Sequence, residues 1–261
     1  MKILVPVQFV PDLVEELLLD DQGRGLDPMA VRWMLNEFDD HAVEQAILLK
    51  EKVGGQVTVL APDVEGVEDA LYSAAAKGAD RLVRLSLEHP KGWAAGYESG
   101  ANTHALARLF AGLIGRFQPD LILTGVSAHN SLDGPLGPIL AGLLDQPYVG
   151  YVSGVKVEGN KATVQKEYPG GLKAEVEVSL PAVLGIQAAE TPPRYVPIAK
   201  IRQVMKTVRI EEESGELDMA GGMEIARMYP PAVGQRAEMI EGDVDQVAEK
   251  LAAILDEQGV L

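Results

Sequence analysis

The chain has 261 residues, 47% hydrophobic and 24% charged, with a formal net charge of −16 and no cysteine. That length and apolar content suit a soluble globular protein with a substantial core; the missing cysteine excludes disulfides, thiolate metal sites and thiol catalysis. The acidic excess argues against an extended nucleic-acid surface, because such surfaces neutralise phosphates with Lys and Arg.

Lys2–Val7 is a short β-branched run that predicts the first strand. From Asn36 to Ala46 a polar entry leads into an amphipathic helix. Asn36 or Asp39 stands where a cap belongs, and Val43, Ala46, Ile47 and Lys50 recur at three- and four-residue spacing. Gln56–Leu60 predicts a strand, Glu65–Lys77 a helix closed by Gly78, and Arg81–Leu85 a further strand. After Asn102-Thr103, the residues Leu106, Leu109, Phe110, Leu113 and Ile114 repeat at helical spacing until Pro119-Asp120. Leu121–Thr124 is a compact apolar run of the kind buried in a parallel sheet. A β-α-β-α order of this kind predicts an α/β fold with ligands at the carboxyl ends of the strands.

From about Tyr151 the pattern changes. Val155–Glu158 and Ala162–Gln165 flank the turn signal Gly159-Asn160-Lys161, Leu172–Leu180 alternates apolar with charged residues, and Ala182–Ile186 is again apolar. The hairpin and the alternating run predict an antiparallel extension of the parallel sheet, and Ala182–Ile186 predicts a further strand. After Glu190 periodicity is lost for some 50 residues punctuated by proline and Gly221-Gly222, which predicts an arm packed on another subunit. Val244, Val247, Ala248, Leu251, Ile254 and Leu255 then form a helical stripe that needs a surface to cover it. The expected division is 1–190 for the α/β domain with its extension and 191–261 for the arm and last helix.

Several chemistries lack their residues. His41, His89, His104 and His129 have no spaced second ligand, so no metal site is expected. Ser127, Ser131 and Ser153 lie in no G-x-S-x-G elbow, and neither a Walker loop nor a strand-linked G-x-G-x-x-G is present. No apolar run reaches the ~18 residues of a membrane span. Met1 leads directly into a strand without a signal-peptide pattern, so a cytoplasmic location is expected.

The stretch Asn36-Glu37-Phe38-Asp39-Asp40-His41-Ala42-Val43-Glu44-Gln45-Ala46 resembles the N-x-F-[DE]-x-x-A-[VL]-E-x-A signature of the β subunit of electron transfer flavoproteins. In the same order follow Gly78-Ala79-Asp80-Arg81, Leu180-Pro181-Ala182-Val183 and Pro193-Arg194-Tyr195, each similar to a family motif, and Met1–Asp12 looks like the family's opening strand and loop. The resemblance implies a Rossmann-like fold of the adenine nucleotide α-hydrolase type, with a C-terminal arm wrapping the partner. It also implies an electron carrier, with no catalytic residues on this chain, that shares FAD with an α subunit. Flavin dehydrogenases would be its donors and an oxidoreductase, membrane-bound or not, its acceptor. A second nucleotide, AMP or a second FAD, would lie near Val7, Asn36, Phe38, Asp39, Ala61, Gly125, Ala128, Ser131, Gly134 and Gly137, held mainly by backbone donors, and Leu13 would meet the flavin edge. Arg194, Tyr195 and Ile198 would form the docking surface.

The chain departs from the family in three places. Gly134, Pro135 and Leu136 stand where AMP-holding members carry Asn, Gln and Thr; Leu13 replaces an aromatic residue; and Gln8-Phe9 replaces a Lys-Arg pair. Gly137-Pro138 is closer to the V-G-P of electron-bifurcating members. Two other classes compete with this reading: a hydrolase of the same sheet type, for which the S-G-G-x-D-S loop is missing, and a non-redox nucleotide-binding module.

Overall fold

The computed structural model describes residues 1–88 and 102–216, residues 218, 220, 221, 223, 225–232 and 237, and residues 239–260; His89 lies outside them. Two compact units result, Met1–Met228 and Tyr229–Leu261. This division falls well beyond the expected one at 190.

Among the described residues of the first unit, nine strands form one sheet. At its centre are β1 (Lys2–Pro6), β4 (Gln56–Pro62) and β6 (Leu121–Gly125), with β1 between the other two and all three parallel. β5 (Arg81–Glu88) extends the sheet beyond β4; β10 (Ala182–Ile186) and then β7 (Tyr148–Glu158) extend it beyond β6, still parallel. β8 (Lys161–Glu167) and β9 (Lys173–Ser179) complete it as the expected antiparallel extension, turning at Gly159 and Asn160. β2 (Phe9–Pro11) and β3 (Trp33–Leu35) make a small separate antiparallel pair. The mostly parallel, Rossmann-like α/β class read from the sequence is the one observed.

Alternation along the central strands explains why both faces are covered. Ile3 and Val5 pack with α1 (Glu37–Val53) and α2 (Val67–Lys77), whereas Leu4 packs with α3 (Thr103–Phe117) and α4 (Leu136–Leu144). A strand buried on both faces reads as a nearly continuous apolar run, and every residue of β6 is buried, the polar Thr124 among them. The α3 stripe of Leu106, Leu109, Phe110, Leu113 and Ile114 is buried as its spacing predicts, and the Asn102 side chain caps the helix by accepting from the Ala105 N–H at 3.0 Å.

The expected arm is only partly an arm. From Glu190 the chain is tied along α1: the Ala189 N–H donates to His41 Nδ1 at 3.2 Å, the Glu190 N–H to Gln45 Oε1 at 3.1 Å, and Lys52 pairs with Glu190. A short helix, α5 (Ile198–Val204), follows, and β11 (Ile210–Glu216) then joins the sheet edge parallel to β5. Charge stabilises β11 where apolar periodicity is missing. Glu211 accepts two bonds from Arg81 at 2.7 and 2.9 Å, Glu212 pairs with Arg84, and Glu213 with Arg116 at 2.7 Å. The second unit contains α6 (Val244–Glu257), whose Asp243 and Gln246 form a reciprocal capping box and whose Val244, Leu251, Ile254 and Leu255 are exposed.

Candidate functional site

The strand order reverses beside β1: the chain runs outward through β4 and β5, then returns to place β6 on the other side of β1. Such a switch point leaves a crevice at the carboxyl ends of the strands, where α/β folds bind ligands. Here one carboxylate bridges it. Asp39, fully buried in the first turn of α1, accepts from the Gln8 N–H just after β1 at 2.9 Å and from the Gly125 N–H at the end of β6 at 2.6 Å. Asn36 Nδ2 donates to the same carboxylate at 3.1 Å and to the Ser127 carbonyl at 2.9 Å. Neither Asn36 nor Asp39 caps α1 by its side chain, contrary to the expectation; both reach outward to the strand ends instead. Burial pushes the Asp39 carboxyl up to about 6 against the opposing pull of those hydrogen bonds, and the neighbouring Asp40 raises it further.

Gly125 is required by this packing. A Cβ there would lie 2.7 Å from Asp39 Oδ1 and 2.8 Å from Phe38 Cβ. Its expected role beside a nucleotide therefore has a second, internal reason. Gly137 likewise allows α4 to approach: a Cβ would lie 2.7 Å from Thr124 Oγ1 and 2.8 Å from the Tyr148 ring. Gly134 has a φ of 116°, a backbone region that favours glycine.

The loop after β6 is stitched to the chain after β1. His129 Nε2 donates to the Pro11 carbonyl at 3.0 Å, Asn130 Nδ2 to the Phe9 carbonyl at 3.3 Å, and Gln8 Nε2 to Ser131 Oγ at 3.3 Å. Asp133 Oδ1 accepts from the Thr103 N–H at the start of α3 at 3.0 Å. Three buried side-chain atoms on this segment have no hydrogen-bond partner among the described residues: Thr124 Oγ1, Asn130 Oδ1 and Asp133 Oδ2. A buried polar atom left unpaired costs roughly 1–3 kcal/mol, so such a group calls for an explanation.

Val7, Asn36, Phe38, Asp39, Gly125, Ala128 and Ser131 are thus gathered around the switch point, with Ala61 buried at the end of the adjacent β4. Gly134 and Gly137 flank the start of α4. Leu13 is exposed in the turn after β2. Asp39 is turned inward, and the Gln8 and Gly125 N–H groups it holds are lost to the set of backbone donors expected to bind a nucleotide. Gln8, Thr124, Asn130 and Asp133 were absent from the expected set. Their signal was available only as polar residues at the end of a strand and in the loop following it.

The docking residues separate into two kinds. Arg194 donates from its backbone N–H and Nε to Glu44 at 3.0 and 2.8 Å and forks onto Glu51 at 2.6 and 3.1 Å. The Glu44 side chain is 1% exposed, and the hydrogen bonds that Arg194 donates to Glu51 and Glu44 hold the guanidinium pKa well above its usual value. Arg194 is therefore an internal brace, not a free docking group. Glu44 and Arg194 sit in two different family-type motifs with opposite charges, which was the sequence signal for their pairing. Tyr195 and Ile198 are exposed at 85% and 64%.

A protein-family model described as "Electron transfer flavoprotein domain" matches residues 26–215. The chain belongs to the electron transfer flavoprotein family. It is 33% identical to an electron transfer flavoprotein subunit beta of Methylophilus methylotrophus, over 98% of each chain, and 31% identical to one of Thermoanaerobacterium thermosaccharolyticum over the whole of both. A mitochondrial subunit beta of Oryza sativa subsp. japonica is 29% identical over 96% of this chain and 97% of its own. As a β-type chain of this family it works as an electron-carrier subunit of a flavin-bearing complex, and the non-redox alternative is not favoured. Among the described residues no helix is long and apolar enough to cross a membrane.

Proposed function

We propose that this chain pairs with an electron transfer flavoprotein α subunit and, in the cytoplasm, passes electrons from flavin dehydrogenases to a downstream oxidoreductase. FAD shared with the α subunit supplies the redox chemistry; this chain supplies a scaffold, the exposed Leu13 and an apolar docking point at Tyr195 and Ile198. The crevice over the switch point takes an adenosine-containing ligand, AMP or the adenosine end of a second FAD. The observation that carries this reading is the set of unpaired buried atoms on Thr124, Asn130 and Asp133, which lie where an α/β fold binds such ligands.

The fit is uneven. Acceptors for a sugar hydroxyl or an amine are present, but phosphate donors are few: Asp39 occupies two strand-end N–H groups, and Pro135 and Pro138 have none to offer. Co-expression with the α subunit, followed by heat release and chromatography, tests the reading. A single flavin together with an adenosine-class compound supports a simple carrier, and two flavins per heterodimer support bifurcation. A flavin-free complex that releases no nucleotide overturns the proposal.

A further inference from the structure

Resting on the reading of Tyr195 and Ile198 as the docking point, we propose that Arg194, gripped by Glu44 and Glu51, is the positioning residue that fixes where that point stands. The segment from 195 to 209 has little of its own to hold it. Val196 is its only buried residue, and α5, which begins at Ile198, buries none. Apolar burial is what ordinarily fixes a short helix to its fold; here the hold comes from the two ends. Downstream, Glu211, Glu212 and Glu213 tie β11 to Arg81, Arg84 and Arg116. Upstream, α1 grips the chain immediately before Tyr195.

That grip is a stripe along one helix face. His41, Glu44, Gln45, Glu51 and Lys52 recur at three-, four- and seven-residue spacing, which stacks them on one side of α1. His41 and Gln45 accept the backbone N–H groups of Ala189 and Glu190, and Lys52 pairs with the Glu190 carboxylate. Arg194 is the last residue held before the exposed run. Its backbone N–H and Nε both go to Glu44, its two terminal nitrogens go to Glu51, and Nη1 also reaches the Lys77 carbonyl at the end of α2 at 3.5 Å. A planar guanidinium bonded along two edges, on a residue whose backbone N–H is bonded as well, cannot turn without breaking several bonds at once. The direction in which the chain leaves Arg194 is thereby set. Lys77 Nζ in turn pairs with Asp40 in the first turn of α1, which ties α2 to α1. Because α5 rests on α2, the brace fixes both the root of the docking segment and the surface beneath it.

The test is steady-state reduction of the full-length chain, in complex with its α subunit, by a flavin dehydrogenase for which the complex is the electron acceptor. Glu51 is the partner to change, because its side chain is half exposed and its loss leaves Arg194 paired with the buried Glu44. Glu51→Ala should raise the KM for the complex about fivefold, the order expected when a loosened segment has to be ordered on binding. The kcat should stay within about twofold and flavin content should not change, as for a loss of binding alone. Trypsin should cut after Lys200 or Arg202 severalfold faster. Glu51→Gln, which keeps one acceptor for the guanidinium, should fall between the two. In a chain already carrying Ile198→Ala, the added effect of Glu51→Ala should shrink below about twofold, since the brace acts through that side chain. If Ile198→Ala raises the KM and Glu51→Ala does not, or if Glu51→Ala raises it just as much in the Ile198→Ala background, the inference fails while the docking point stands. If neither variant moves the KM, the docking reading fails with it.

Discussion

Asp39 offers the most direct test of how the switch point is built. Its carboxyl has a pKa of about 6 in the fold against 3.8 in the open, so the folded state holds the proton more tightly than the unfolded one. The proton-linked stability is therefore fully present below 3.8 and is lost as pH rises through 6. The full contribution is about 3 kcal/mol; between about pH 5 and about pH 7.5 on the order of 1 kcal/mol of it disappears. Asp39→Asn removes this titration. Its one oxygen can serve either the Gln8 or the Gly125 N–H, and its NH2 must face the other, leaving a donor unpaired at a cost of roughly 1–3 kcal/mol. Near pH 7.5 that cost is largely offset by no longer burying a charge, so the variant should approach native stability. Near pH 5 it should fall behind by on the order of 1 kcal/mol more. Urea unfolding of both chains at the two pH values, followed by circular dichroism, measures the change in the gap, and other titrating groups cancel because they are common to both. A gap that stays constant across this range would refute the argument that a buried, ionising carboxylate bridges the two strand ends.

Gly125→Ala should destabilise the fold by about 2 kcal/mol or more and release bound nucleotide, since the added carbon collides with Asp39 and Phe38; a thermal melt within a degree of native would contradict this. Arg194→Ala leaves the buried Glu44 carboxylate without its cation and should cost about 3 kcal/mol, with Arg194→Lys intermediate because the fork onto Glu51 is lost. Melting temperatures of the two variants rank the effect, and equal losses would mean the fork geometry does not matter. Ile198→Ala should slow electron transfer from flavin dehydrogenases by an amount equivalent to roughly 2 kcal/mol of docking energy, with flavin content unchanged. An unchanged rate with each donor tried would remove Ile198 from the docking surface.

The elements of the α/β core were legible because burial imposes a period. Leu106, Leu109, Phe110, Leu113 and Ile114 mark α3, and the apolar run Leu121–Leu123 of β6 marks a strand covered on both faces. β11 was not legible, because Glu211-Glu212-Glu213 carries no apolar alternation and owes its place to arginines from distant elements. Short, mixed segments such as Phe9–Pro11 and Trp33–Leu35 give too few residues for a period, and only their pairing identifies them. In the site, motif resemblance located the right neighbourhood but not the direction of each side chain. Asn36 and Asp39 carry residue types that could cap a helix or bind a ligand, and the choice between those uses and bridging to the strand ends depends on where Gln8, Gly125 and Ser127 lie in space. Arg194 was assigned to docking for the same reason: its exposed neighbour Tyr195 shares the motif, while its own partners Glu44 and Glu51 are far away in sequence.

The late arrival of β11 has a consequence for synthesis. Arg81 and Glu211 are 130 residues apart, so as the chain leaves the ribosome β5 can pair with β4 long before its outer neighbour exists. During that interval the nascent chain presents an open strand edge, the kind of surface on which incomplete chains join one another. Charge marks that edge: Arg81, and Arg84 beside Glu68 and Asp63, stand along it until Glu211 and Glu212 arrive to pair with them. Chains interrupted before residue 210 should therefore be markedly more prone to coaggregation than chains ending just after 216, and the difference should shrink when trigger factor or another nascent-chain chaperone is present.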